Sequence, residues 1–260
     1  PAGGDATITG GETGETNGDT LDLRGAGPVT LVYDTTDPTF DPATGTSESG
    51  TATYINSAGD PVTINFSEIE NVLTDPDGVV DGTPSGDNIP VGFTDAQGDQ
   101  VTDGADTILA GAGNDTIAAG GGDDSVDAGT GDDFVDAGAG ADSIDGGAGN
   151  DDLRGGTDND TILGGTGDDF IDGDAGDDQI FAGDGADDLR GSEGEDFIDG
   201  GAGNDNILGE ADNDDLRGGD GEDMLFGGAG DDFLDGDAGN DMVFGGDGND
   251  DMRGSEGNDM

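Results

Sequence analysis

Between Val101 and Met260, apolar and polar positions recur on a fixed period of nine residues without one insertion or deletion. Copies begin at 101, 110, 119 and so on to 254, giving (254 − 101)/9 + 1 = 18 copies, the last cut short at Met260. The eighth position is aliphatic or Met in all 17 copies that reach it, from Ile108 to Met252. A single inward apolar residue between two outward neighbours predicts a very short strand. The fourth position is glycine in 16 copies, with Asp158 and Asp212 as exceptions. Glycine there predicts a turn that needs positive φ or a close approach of main chains.

The sixth position is aspartate in every copy: Asp106, Asp115, Asp124, Asp133, Asp142, Asp151, Asp160, Asp169, Asp178, Asp187, Asp196, Asp205, Asp214, Asp223, Asp232, Asp241, Asp250 and Asp259. Asx-turn chemistry accounts for the fifth position, where Asn, Asp, Ala and Glu all occur, but not for an invariant carboxylate at the sixth. These 18 aspartates are the candidate metal ligands.

The totals sharpen the problem. The 260 residues carry 64 acidic side chains against 5 basic ones, a formal charge of −59, with 29% hydrophobic residues. That is the composition of chains that stay disordered for want of apolar surface to bury. A fold built from it needs something besides a conventional core. The charge repels nucleic-acid phosphates and anionic lipid head groups, so neither nucleic acid nor membrane insertion is an expected partner. No apolar run approaches a signal-peptide core or a transmembrane helix, and the chain reads as a segment of something longer.

The pattern G-G-x-G-[ND]-D-x-U-x, where U is a large apolar residue, resembles the RTX, or haemolysin-type, calcium-binding nonapeptide repeat, and the resemblance covers residues 101–260. It implies an all-β fold, a right-handed parallel β-roll in which two nonapeptides make one coil, each three-residue strand supplies one core side chain, and the turns bind Ca²⁺. Stacked coils place Asp(i) beside Asp(i+18), Asp124 beside Asp142 for example. Such columns repel unless a hard cation with oxygen ligands stands between them. The resemblance implies one ion between each turn and the turn 18 residues later, so 18 − 2 = 16 ions is the ceiling. The turns of Asp160 and Asp214, which carry Asp158 and Asp212 in place of glycine, are expected to be strained or to bind weakly.

Residues 1–100 have another rhythm and form a separate β-rich N-terminal region, an extension or cap for the calcium-binding roll of 101–260. "PVTLVYD" (28–34), "GTATYIN" (50–56) and "PVTINFSEIENV" (61–72) are strand-like, with a hairpin turn at 57–60. Degenerate repeat phrases, "NGDTLDL" with Asp19 and Leu21 and "SGDNI" with Asp87 and Ile89, suggest an imperfect start of the same solenoid.

At the ninth position two ladders with an 18-residue step emerge, Asp136, Arg154, Asp172, Arg190 and Asp199, Arg217, Asp235, Arg253. Cross-strand pairs of this kind are worth about 0.2–1 kcal/mol and are expected to set register. Phe134, Phe170, Phe197 and Phe233 read as cross-strand packing. Met224, Phe226, Met242 and Phe244 make an outward apolar ribbon, a candidate surface for self-association or for a downstream segment.

Catalysis finds no footing. Without His there is no Ser-His-Asp device and no H-E-x-x-H motif, without Lys no Schiff base, and without Cys no thiolate. The chain is therefore expected to be a non-catalytic calcium-binding segment of a bacterial exoprotein, secreted by a type I system and located outside the cell or on its surface. A structural or adhesive subunit of a surface layer or fibre, or the folding module of a hydrolase with its catalytic domain elsewhere, are the alternatives.

Overall fold

The computed structural model describes residues 79–95 and 99–260 and, before them, the strands Thr7–Thr9, Thr20–Asp22, Val29–Tyr33, Gly50–Ile55, Pro61–Phe66 and Asn71–Leu73. The chain divides into two compact units, Pro1–Gly78 with Thr94–Asp99, and Val79–Phe93 with Gln100–Met260.

In the first unit, Val29–Tyr33, Gly50–Ile55 and Pro61–Phe66 form an antiparallel sheet, with Val29 opposite Tyr54 and Ile55 opposite Pro61. These are the three segments whose β-branched and aromatic content predicts strands; the hairpin at 57–60 lies outside the described residues. A second sheet pairs Thr20–Asp22 antiparallel to Thr7–Thr9 and parallel to Asn71–Leu73. The phrase around Leu21 is therefore not a coil of the roll. A coil needs two phrases in succession, and this one runs on into the Val29–Tyr33 strand instead.

The second unit is a parallel β-solenoid of about eight turns, the right-handed β-roll expected. Its strands come alternately from one nonapeptide and the next, building a nine-stranded and a ten-stranded parallel sheet. Register steps are 18 residues: Val135 lies opposite Leu153 and Leu153 opposite Ile171 in one sheet, Ile162 opposite Ile180 in the other. Two nonapeptides thus make one coil. The first coil is laid down before the regular repeats, by Val80–Asp81 and Asn88–Ile89. Asp87 lies 28 residues before Asp115, one coil of 18 plus an excursion of ten. That excursion closes where Gly92 N–H bonds the Val101 carbonyl and Val101 N–H bonds that of Phe93. Among the described residues no helix is long and apolar enough to cross a membrane.

Position eight is the apolar interior. Ile108, Ile117, Ile144, Leu153 and their successors to Leu234 are fully buried, each stabilising the roll by about 1.5–3 kcal/mol relative to exposure. At the last described rung Met252 is 52% exposed. Most strands are six residues long rather than the expected three, Asp152–Thr157 for example, with a burial pattern that points two side chains inward. The second inward position is position one. Ala110, Ala119, Ala128, Ala137 and Ala182 stand there fully buried, and elsewhere it is mostly glycine, because the two sheets leave room for little more.

The turns demand left-handed backbone at two positions. At position four, Gly149 has φ 142°, and a Cβ there would overlap the Gly131 carbonyl one coil below. Asp158 and Asp212 keep φ of 78° and 75° at that position, so the strain expected of them is present. It costs about 1–2 kcal/mol per residue. At position two, Asp174, Ser192, Glu210, Asp237 and Ser255 are also left-handed. Some of that cost is offset locally: the Asp172 carboxylate accepts bonds from the Asp174 N–H and the Ser192 hydroxyl.

On the outer faces the predicted register holds, with Arg154 between Asp136 and Asp172 and Arg217 between Asp199 and Asp235. The contacts differ from those expected. Each guanidinium lies 4.7–5.3 Å from the ring centre of a phenylalanine one coil back, Arg154 on Phe134, Arg190 on Phe170, Arg217 on Phe197 and Arg253 on Phe233. Three of them, Arg154, Arg217 and Arg253, also bond the aspartate two residues earlier on their own strand. A long side chain on a strand reaches its diagonal neighbour as readily as the one directly opposite, and a ring there adds cation–π attraction of about 0.5–1 kcal/mol.

Candidate metal centre

Each turn carries its position-six aspartate between the glycine corner and the strand, and stacking on both sides buries it. Fifteen of the 18, from Asp115 to Asp241, are at most 3% exposed; Asp106 and Asp250 are half-buried and Asp259 is exposed. The carboxylates are tied from coil to coil. Asp133 Oδ1 accepts the Asp115 N–H at 2.7 Å, Asp178 Oδ1 the Asp160 N–H at 2.8 Å and Asp196 Oδ1 the Asp178 N–H at 2.9 Å. Only one oxygen is satisfied in this way. Oδ2 of the same fifteen aspartates is buried and has no hydrogen-bond partner among the described residues.

Such an arrangement is costly for an ionised group. Burial, opposed by the backbone hydrogen bond and reinforced by neighbouring carboxylates, pushes Asp160, Asp169, Asp178, Asp205 and Asp214 up to about 7. Asp124, Asp151, Asp196 and Asp223 are pushed up to about 6 by the same causes. Two columns of half-satisfied carboxylates therefore line the roll, one along each row of turns.

The surrounding donors are oxygens. A Cβ on Gly146 would sit 2.8 Å from both Asp151 Oδ2 and the carbonyl oxygen of Gly164 on the next coil. At Gly164 the corresponding oxygens are Asp169 Oδ2 at 2.7 Å and Ala182 O at 2.5 Å, and at Gly200 they are Asp205 Oδ2 at 2.5 Å and Gly218 O at 2.6 Å. Carboxylate and carbonyl oxygens from adjacent coils thus converge where a side chain is missing. In the turns with alanine at position one a methyl stands at that point, yet Oδ2 is equally unpartnered, so the bare oxygen is the feature common to all. Among the described residues no three acidic side chains converge on one point. Each turn brings a single carboxylate, and carbonyls must complete any shell. One unpartnered carboxylate oxygen with backbone carbonyls suits a hard cation such as Ca²⁺ and does not suit a metal that prefers nitrogen or sulfur.

Position five behaves as turn chemistry. Asn150 N–H bonds Asp132 Oδ1 and Asp168 N–H bonds Asn150 Oδ1, all exposed, in ladders that need no metal. Two residues that the nonapeptide pattern does not single out bear on the site. Thr83 and Thr102 stand at position two of the first two turns and bond Asp87 Oδ2 and Asp106 Oδ2 through both N–H and hydroxyl. Their signal in the sequence is a threonine four residues before the aspartate, in "TPSGD" and "TDGAD".

A search of curated proteins found no match to this chain. The family model of the RTX calcium-binding nonapeptide repeat matches in seven overlapping stretches, 101–135, 127–162, 154–189, 181–216, 190–225, 208–243 and 226–260, which together cover every residue from 101 to 260. By its repeats and by the roll they build, the chain belongs to the RTX calcium-binding nonapeptide repeat family.

Proposed function

We propose that this chain is the calcium-ordered, non-catalytic part of a secreted bacterial exoprotein, with residues 101–260 holding up to 16 Ca²⁺ between stacked turns and residues 1–100 as its β-rich N-terminal region. The position-six aspartates supply the side-chain ligands. The observation that carries this reading is the column of buried Oδ2 atoms without partners, which a divalent cation would satisfy and neutralise. A ligand that binds only the folded chain stabilises it by RT ln(1 + [L]/Kd) per site, and many sites multiply the effect. Export through a type I system as an unfolded, calcium-poor chain that folds outside the cell accords with the same linkage. Titrating Ca²⁺ into chelated protein should convert a disordered circular dichroism spectrum to β structure cooperatively, with Mg²⁺ much poorer because it demands a tighter octahedral shell. A β spectrum that persists in excess chelator at mildly alkaline pH, where the turn carboxylates are ionised, would overturn the proposal.

A second reading, assembly of copies into a surface layer or fibre, is favoured by one feature. Met224 and Met242 lie opposite each other, as do Phe226 and Phe244, whose rings stack at 4.9 Å with 8° between their planes, and Phe244 is 46% exposed. A second copy of the chain is the proposed occupant. Replacing Phe226 and Phe244 by Ser should abolish calcium-dependent association in sedimentation while leaving calcium-induced folding intact. A wild-type chain that stays monomeric in Ca²⁺ at high concentration would remove that reading and leave the folding-module reading, beside a hydrolase for instance.

A further inference from the structure

We propose that the first coil of the roll is closed by Thr83 and Thr102 rather than by calcium, and that it is the metal-free template on which the calcium-binding turns stack. The inference rests on the reading of later turn carboxylates as calcium ligands and deepens it by marking where the metal series begins.

Every fully buried turn carboxylate has one bare oxygen, but the first two turns do not share this property. Asp87 Oδ2 accepts the Thr83 N–H at 2.6 Å and its hydroxyl at 2.8 Å. Asp106 Oδ2 accepts the Thr102 N–H at 2.7 Å and its hydroxyl at 3.1 Å. The Thr102 hydroxyl also accepts the Gly104 N–H at 3.1 Å, so the turn is tied internally. Two donors on one carboxylate oxygen do for these turns what a cation would do elsewhere, and do it without charge. The backbone differs as well. Gly111 and Gly120, stacked directly on Thr83 and Thr102, have φ of 105° and 109°, whereas neither threonine is left-handed. A β-branched residue at those angles would be strained, so threonine at position two selects a different turn.

The closed coil is joined to the coil stacked on it. Asp87 N–H bonds Asp115 Oδ1 at 2.6 Å and Asp106 N–H bonds Asp124 Oδ1 at 2.7 Å. Asp115 and Asp124 are the first two carboxylates with a bare Oδ2, and their other oxygen is held by an amide whose position the threonine-closed turn fixes. The first coil also has its own apolar filling, Val80, Ile89 and Val101, each at most 2% exposed, with Ile108 stacked on Val80. It therefore presents oriented amides and a dry surface to the first metal-binding coil. Withdrawing Asp106 from the ligand set lowers the ceiling from 16 ions to 16 − 1 = 15.

The test compares Asp106→Asn, Asp124→Asn and Thr102→Val in the full chain, by counting bound Ca²⁺ in equilibrium dialysis and by the calcium midpoint of the circular dichroism transition. Asparagine keeps an acceptor for the Thr102 donors but is a poor substitute for a carboxylate on calcium. Asp106→Asn should leave the ion count and midpoint unchanged, while Asp124→Asn should lose at least one ion and raise the midpoint several-fold. Thr102→Val should keep the ion count and lower the thermal midpoint in saturating Ca²⁺. Loss of an ion in Asp106→Asn comparable to that in Asp124→Asn would overturn the inference. So would a gain in ion count or affinity in Thr102→Val, because the hydroxyl would then be competing with a metal; this arm stands even if Asp106→Asn fails to fold. If neither aspartate variant changes the count, the reading of the turn carboxylates as ligands falls and takes the inference with it, a result distinct from the first.

Discussion

Two columns run the length of the roll two residues apart, the apolar residues of position eight and the carboxylates of position six, and they are buried almost equally: Ile180 is 0% exposed and Asp178 1%. Their energetics are opposite. Ile180 lies opposite Ile162 and Ile198 in a dry interior that is complete from its own atoms. Asp178 has one oxygen satisfied by the Asp160 amide and one satisfied by none of the described residues. Hydrophobic burial and backbone bonding favour the sheets, but each coil that closes also buries carboxylate oxygens that no described residue satisfies, so the two columns pull folding in opposite directions. That division explains how a chain with so little apolar content can be both foldable and conditional on its surroundings.

The largest effect expected from a single substitution is in the dry column. Ile180→Ala should cost about 2–5 kcal/mol in chemical denaturation at saturating Ca²⁺, and adding more Ca²⁺ should not restore it. In the carboxylate column, Asp178→Ala should raise the calcium midpoint several-fold, since it disturbs the turns of Asp160 and Asp196 through both of its coil-to-coil bonds. Asp177→Ala should shift it far less, because the Asp177 carboxylate is exposed and accepts the Glu195 N–H, a bond of the position-five ladder rather than of a buried turn. Equal shifts for Asp177 and Asp178 would erase the distinction between the fifth and sixth positions.

Acid should sharpen the contrast further. Burial is the first cause that pushes Asp160 and Asp178 up to about 7 and Asp124 up to about 6, above the ordinary 3.8. A raised carboxylate contributes stability that is fully present below the unfolded value and is lost as pH rises through the folded one. In chelator, therefore, the roll should gain β structure as pH falls from about 7 towards 4, while in Ca²⁺ the same protonation should compete with the metal and raise the calcium midpoint. Circular dichroism against pH, with and without chelator, measures both arms. The smallest effect belongs to backbone strain: Asp158→Gly should stabilise the calcium-loaded roll by about 1 kcal/mol, seen as a higher thermal midpoint, by relieving a left-handed aspartate.

Most of the architecture is legible in the linear pattern because the roll is nearly one-dimensional, each coil touching only its neighbours. Period nine, the invariant Asp and the single apolar residue suffice for the family, the 18-residue register, the inward column from Ile108 to Leu234 and the strain at Asp158 and Asp212. Position one is not legible as interior because glycine and alanine look like turn residues, and only the space between the sheets makes them part of the core. The arginine contacts are hidden for a related reason: register gives the residue directly opposite, but reach along the strand decides that Arg154 lies on Phe134 and bonds Asp152.

By itself the sequence determined which residues repeat, and hence which stack. Tertiary structure decided which oxygen of each carboxylate is left bare, since that depends on a neighbouring amide 18 residues away being aimed at Oδ1. It decided equally that Asp106, identical in the repeat pattern to Asp124, has its second oxygen taken by Thr102. Hydrogen-bond satisfaction is a property of directions and distances of a few ångströms, and a pattern of residue types along a chain holds neither.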